Sequence, residues 1–156
     1  MKLTVLCMGK TRERFIRDGM EKFVRFLGHY ADLEVRELKE EKIQDLKEAP
    51  RIRKREAERI GKAIAAGAFT VSLDERGEEF TSHEFAAFLN GVRESGVREI
   101  VFILGGALGL DERVTTGSNR TVSLSRLTFT HEMARLVLLE QLYRAFTIVT
   151  GKTYHY

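Results

Sequence analysis

The chain has 156 residues, 43% of them hydrophobic, with a formal net charge of +3 and a pI of about 9.1. That length suits one domain with a real core. No apolar run approaches the ~20 residues that span a bilayer, and a lone cysteine, Cys7, excludes an intramolecular disulfide. The mild basic bias points weakly to nucleic acid. Charged residues make up 31% of the chain, however, and its only amides are Asn90, Asn119, Gln44 and Gln141. High charge with few amides is also a thermophile pattern, so composition selects no partner. Met1 leads straight into a strand-like segment with no leader pattern, so the expected location is a reducing cytoplasm. Cys7, inside the first apolar run with no base beside it, reads as a core residue.

In chain order, residues 2–8 form a β-rich apolar run closed by Gly9-Lys10. Residues 12–27 carry Phe15, Ile16, Met20, Phe23, Val24 and Leu27 at helical spacing. Residues 32–38 alternate and predict a short strand, and the charged 39–50 segment predicts a loop. Pro50, the only proline, stands where a helix over 51–66 can begin. Residues 69–73 predict a strand, ended by the turn signal Asp74-Glu75-Arg76-Gly77.

Thr81-x-x-Glu84 is a capping-box pattern for a helix over 82–95, stopped by Gly96. Residues 99–104 predict a strand buried on both faces. A short helix is expected over 111–116 and a strand over 121–124. Thr130 is a candidate N-cap for a helix over 131–146 that is apolar around most of its circumference. Such a helix either crosses the middle of the domain or forms a subunit contact, and a symmetric dimer is a reasonable inference.

Alternating strands and helices mean an α/β domain with a mainly parallel sheet. Ligands of such sheets bind beyond the carboxyl ends of the strands. Leu73-Asp74, Leu104-Gly105 and Leu124-Ser125 are three such ends.

Motif tests mostly fail. Gly9-Lys10-Thr11 and Gly151-Lys152-Thr153 lack the upstream glycine of a phosphate loop, where Thr4 and Phe146 stand. Gly105-Gly106-Ala107-Leu108-Gly109 is not a dinucleotide fingerprint, although its backbone can approach an adenosine closely. His131-Glu132 is not a zinc-protease motif, because Arg135 occupies the second histidine position. The histidines His29, His83, His131 and His155 show no ligand spacing, so no metal site is expected. No nucleophile elbow exists. The basic run Arg51, Arg53, Lys54, Arg55, Arg59, Lys62 suits phosphates, but interleaved Glu56 and Glu58 suit an ion-paired face equally well.

The order of several segments carries more. These are Met1-Lys2-Leu3 with Gly9-Lys10; Val71-Ser72-Leu73-Asp74; Phe102-Ile103-Leu104-Gly105-Gly106 with Gly109-Leu110; and Leu124-Ser125-Arg126-Leu127-Thr128-Phe129. His131, then Leu139-Glu140-Gln141-Leu142-Tyr143-Arg144-Ala145 and Tyr154-His155, complete the set. Over essentially its full length, the chain resembles the ribosomal large-subunit methyltransferase H family of the SPOUT class.

The resemblance implies one α/β SPOUT domain over 1–156 with a C-terminal trefoil knot, a feature that ordinary topology rules exclude by default. It implies a homodimer with active sites at the interface and S-adenosylmethionine as donor. It implies N3-methylation of a pseudouridine in the intersubunit-bridge stem-loop of 23S rRNA, on assembled ribosomes. By resemblance, the cofactor contacts are Leu73, Gly105, Leu124, Ser125, Arg126, Leu127, Thr128 and Phe129. Two positions depart from the family pattern: Thr130 replaces a usual proline, and Tyr156 replaces a terminal basic residue. Tyr156 can serve RNA by stacking instead of by charge.

On that resemblance, His155 is the first candidate for a base or orienting group, with an RNA-contacting tail histidine as the equal alternative. Arg144 can neutralise phosphate or a developing imide anion, or pair with Glu140 one turn back. Tyr154 can stack on the target base, and His131 caps or packs at a helix start. Two other classes stay open: a non-catalytic RNA- or ribosome-binding factor of the same fold, and a nucleotide-dependent α/β enzyme, which the failed motifs disfavour.

Overall fold

A computed structural model describes residues 1–154. Five strands, β1 (Lys2–Met8), β2 (Asp32–Leu38), β3 (Phe69–Glu79), β4 (Glu99–Leu104) and β5 (Arg120–Ser123), form one sheet in the order β2-β1-β4-β3-β5. All neighbours are parallel. The helices are α1 (Arg14–Leu27), α2 (Ala49–Ala63), α3 (Ser82–Glu94), α4 (Glu112–Gly117) and α5 (His131–Val149), with a 3-10 turn over Leu46–Glu48 before α2.

The central strands β1 and β4 are apolar on both faces because helices cover both. Leu3, Val5, Cys7, Ile100, Phe102 and Leu104 meet α1, α3 and α5 on one side. Leu6, Met8, Val101 and Ile103 meet α2 and α4 on the other. The apolar circumference of α5 has its explanation in this layer: the helix lies between α1 and α3. Leu138, Leu139 and Leu142 are fully buried there. Crossing the middle of the domain is therefore enough to account for its composition.

The capping box of α3 forms in both directions, Glu84 N–H to Thr81 Oγ1 at 3.2 Å and Thr81 N–H to Glu84 Oε2 at 2.7 Å. Thr130 caps α5 by accepting from Met133 N–H at 3.2 Å. Pro50 lies inside the first turn of α2 rather than before it, a position that needs no amide hydrogen.

Helix α2 starts at Ala49 and stops at Ala63, short of the expected 66, α5 runs on to Val149, and β3 differs most from expectation. β3 does not end at the turn signal but runs on to Glu79. Leu73 and Glu78 both align with Val122 of β5, so residues 74–77 bulge out and the strand resumes. Asp74 closes the bulge by accepting from Arg76 N–H at 3.0 Å. A Cβ at Gly77 would lie 2.6 Å from the Val122 carbonyl carbon, so only glycine lets the strand rejoin β5 this closely.

Candidate functional site

A cavity of about 880 Å³ opens at the β3 bulge and the carboxyl ends of β4 and β5. Three loops and the start of α5 wall it. The glycine loop after β4 is tight. Gly106 and Gly109 bridge in antiparallel fashion, Gly109 N–H donates to Gly106 O at 3.0 Å, and Gly109 takes a φ of +74°. A Cβ at Gly105 would stand 2.7 Å from the Gly109 carbonyl carbon, so the loop folds onto itself only because that position has no side chain. After β5, Ser125 Oγ accepts from Leu127 N–H at 2.9 Å, and Ser123 Oγ donates to Ser125 O at 3.0 Å. Those bonds shape the second loop.

Of the residues expected at the cofactor, Leu73, Gly105, Leu124, Ser125, Leu127, Thr128 and Phe129 all line this one cavity. Arg126 does not. Its side chain is exposed and its Nε lies 3.7 Å from Glu79. His131 opens α5 and also faces the cavity; burial, and then the charge of Arg135, hold its pKa below the ordinary imidazole range.

The tail residues gather elsewhere. Arg144 pairs with Glu140 one turn back, at 2.5 Å, and Tyr154 Oη donates to the same carboxylate at 3.2 Å. The Arg144 guanidinium sits 4.9 Å from the Tyr154 ring centroid, and Tyr143 meets that ring edge-on at 4.7 Å. Burial and the Glu140 carboxylate raise the Tyr154 pKa. The cavity wall on α5 reaches Ala134, and at about 1.5 Å per residue the rise from there to Arg144 is roughly 15 Å. Within one chain, then, this cluster is remote from the cavity. His155 and Tyr156 lie outside the described residues.

Several features escaped sequence reasoning. The basic run on α2 divides. Arg51 pairs with Glu48 at 2.6 Å, Arg55 lies 3.8 Å from Glu41, and Arg59 pairs with Glu41 as well. Arg53 alone of the four lines the cavity. Glu75, Arg76 and Glu112 add charge to the same wall. Behind the cavity, Arg135 is wholly buried on α5 and donates to Thr11 Oγ1 at 2.8 Å and Met8 O at 2.6 Å. Glu132 accepts from the Arg12 and Glu13 amides at 2.9–3.0 Å. Burial raises the Glu132 pKa, but those amides and the Arg135 charge outweigh it, and the net direction is down. Together, Glu132 and Arg135 tie the start of α5 to the loop after β1. An arginine among leucines was the available signal.

Residues 1–155 match the family model described as "Predicted SPOUT methyltransferase". The chain belongs to that family. Similar members span its full length. It is 44% identical over 156 residues to a protein from Geobacter sp. (strain M21), covering 100% of this chain and 99% of the relative. It is 45% identical to one from Geobacter metallireducens, with the same coverage. A third, from Acetivibrio thermocellus, is 37% identical over 158 residues and 99% of both chains. All three bear the name ribosomal RNA large subunit methyltransferase H. The α/β fold with its wholly parallel sheet is that of a SPOUT member. Among the described residues, no helix is long and apolar enough to cross a membrane, and no group of three or more His, Cys, Asp or Glu is placed to hold a metal.

Proposed function

We propose that the chain is an S-adenosylmethionine-dependent methyltransferase of large-subunit ribosomal RNA, and that its target is N3 of a pseudouridine in the intersubunit-bridge stem-loop of 23S rRNA on assembled ribosomes. The single observation that carries this is the cavity that collects seven of the eight expected cofactor residues from the β3 bulge and the ends of β4 and β5. The shared name of the relatives supports the substrate class. The same family membership supports one domain over 1–156, a knotted C-terminal part and a cytoplasmic setting.

The residues fit the donor. About 880 Å³ lies within the ~300–1,000 Å³ usual for a small-molecule site. Leu73, Leu124, Leu127 and Phe129 offer apolar surface to a flat base, and the glycine loop lets backbone approach it. When bound, the cofactor supplies a methyl group already activated on a sulfonium. What the chain must add is position, exclusion of water and management of one proton. The acceptor N3–H is a weakly acidic imide, so its proton leaves as the new N–C bond forms. Arg144, aimed by Glu140, can stabilise the imide anion; Tyr154, held by the same carboxylate, can stack on the base; His155 is the candidate base or orienting group.

Arg144 stands ten residues, roughly 15 Å, along α5 from Ala134 at the cavity wall, so one copy does not bring both to the same place. A homodimer resolves this if each tail completes the other copy's cavity. Two variants test that arrangement: Gly105→Ala disables the cavity and Arg144→Ala the tail. Mixed after subunit exchange, the two inactive proteins should regain methylation, because the hybrid keeps one intact site. No recovery would refute the shared site. For the substrate, ribosomes with an unmethylated target should gain one methyl, located by mass mapping of rRNA fragments. A protein that binds donor but leaves such ribosomes unmodified lacks the proposed target. Calorimetry showing no donor binding would favour a non-catalytic ribosome-binding factor instead.

A further inference from the structure

We propose that the charged wall of the cavity receives the amino-acid end of the methyl donor, with Arg53 as the residue that binds its carboxylate. This rests on the assignment of the cavity as a donor site, and extends it to residues on α2, β3 and α4.

Arg53 is unlike its neighbours on α2. Arg51, Arg55 and Arg59 are each engaged with Glu48 or Glu41. Arg53 is half-buried at the cavity and makes no ion pair or hydrogen bond among the described residues. Two carboxylates beside the cavity have other partners, Asp111 with Arg113 at 2.8 Å and Asp74 with Arg76 at 2.9 Å. The Arg113 hydrogen bond first, and the Arg53 charge last, hold the Asp111 carboxyl down at about 2, so the field of Arg53 reaches the end of the glycine loop. A guanidinium drawn partly out of water without a partner is an unfilled anion site.

The rest of the wall tells which anion. Glu75, from the β3 bulge, and Glu112, from the first turn of α4, line the same cavity and make no ion pair among the described residues. Counting Asp74 and Arg76, three carboxylates face two guanidiniums, a net negative surface. A phosphodiester, which carries negative charge alone, meets more carboxylate than guanidinium there. A zwitterion joined to a sulfonium fits: its carboxylate goes to Arg53, and its ammonium and sulfonium sit in the field of Glu75 and Glu112. The bulge in β3 and the close approach at Gly77 bring Glu75 to this wall.

The test is calorimetry on the full-length protein with two ligands. S-adenosylmethionine carries the amino-acid end; 5′-methylthioadenosine keeps the adenosine and sulfur but lacks it. Arg53→Gln should weaken S-adenosylmethionine about tenfold or more, the loss of a charge-assisted hydrogen bond. The same variant should bind methylthioadenosine within about twofold of wild type, which also shows that the cavity is intact. Arg53→Lys should retain part of the affinity, keeping charge but losing the fork. Equal loss for both ligands would make Arg53 a shaper of the cavity and overturn the proposal. So would full retention of S-adenosylmethionine affinity, with or without weakened binding of an rRNA fragment. Wild-type protein that binds neither ligand would instead remove the donor site itself, a result distinguishable from any behaviour of the variants.

Discussion

Arg135→Ala should be among the most destabilising single changes in this chain. The side chain is 0% exposed. It donates to Thr11 Oγ1 at 2.8 Å and Met8 O at 2.6 Å, and lies 3.7 Å from Glu37. A hydrogen bond from a charged donor contributes about 1.5–3 kcal/mol. Truncation strands the Met8 carbonyl and leaves a void, so a loss of about 3–5 kcal/mol is expected, the range for breaking a buried charged network. Against a typical stability of about 5–15 kcal/mol that is a large fraction. With a urea slope of about 2 kcal/mol per molar, the midpoint followed by circular dichroism should fall by about 2 M. Arg135→Met supplies the contrast: it keeps bulk and removes the cost of burying a charge, so its loss should be only about 1–2 kcal/mol. An alanine variant within about 1 kcal/mol of wild type would refute the claim that Arg135 anchors α5 to the loop after β1.

Other consequences are directly measurable. Gly105→Ala forces a Cβ to 2.7 Å from the Gly109 carbonyl carbon; stability should drop by about 1–3 kcal/mol and donor affinity by at least about tenfold, and unchanged affinity in calorimetry would contradict the role of the loop. The Asp111 carboxyl, held at about 2 by Arg113, should titrate there by carbon NMR, against an ordinary value of about 3.9. Because the folded value is depressed, the stability this pair contributes is present above the ordinary range and lost as pH falls through about 2. Arg113→Ala should return the titration to the ordinary range. Cys7, whose pKa burial pushes up to about 12, should resist iodoacetamide at pH 8 in the native protein and react only on unfolding; rapid native labelling would contradict its burial.

Local signals served well where local physics decides the outcome. The capping box at Thr81, the cap at Thr130, and the apolar runs of β1 and β4 appear as expected. The turn signal at residues 74–77 also acted, since the chain does turn there. What it could not reveal is that the strand resumes, because rejoining depends on β5, a segment more than forty residues downstream, and on Gly77 fitting against it. The charged α2 run was ambiguous for the same reason. Which of its arginines meet Glu41 and Glu48, and which faces the cavity, depends on how the helix sits on the sheet.

By itself, the sequence determined the main element types, the parallel α/β architecture, the ends of β4 and β5 where a ligand should lie and the family to which those segments belong. Periodicity, caps and motif order are properties of short stretches, so they are legible without folding the chain. Only the tertiary structure decided that the β3 bulge and the ends of β4 and β5 share one cavity, that Arg53 alone among the α2 arginines discussed faces it, and that Arg135 is a buried anchor. It also decided that Arg144 and Tyr154 cluster with Glu140, away from the cavity at the start of α5. Those are relations between distant residues, created when α5 packs between α1 and α3 with its first turn at the cavity and its far end away from it.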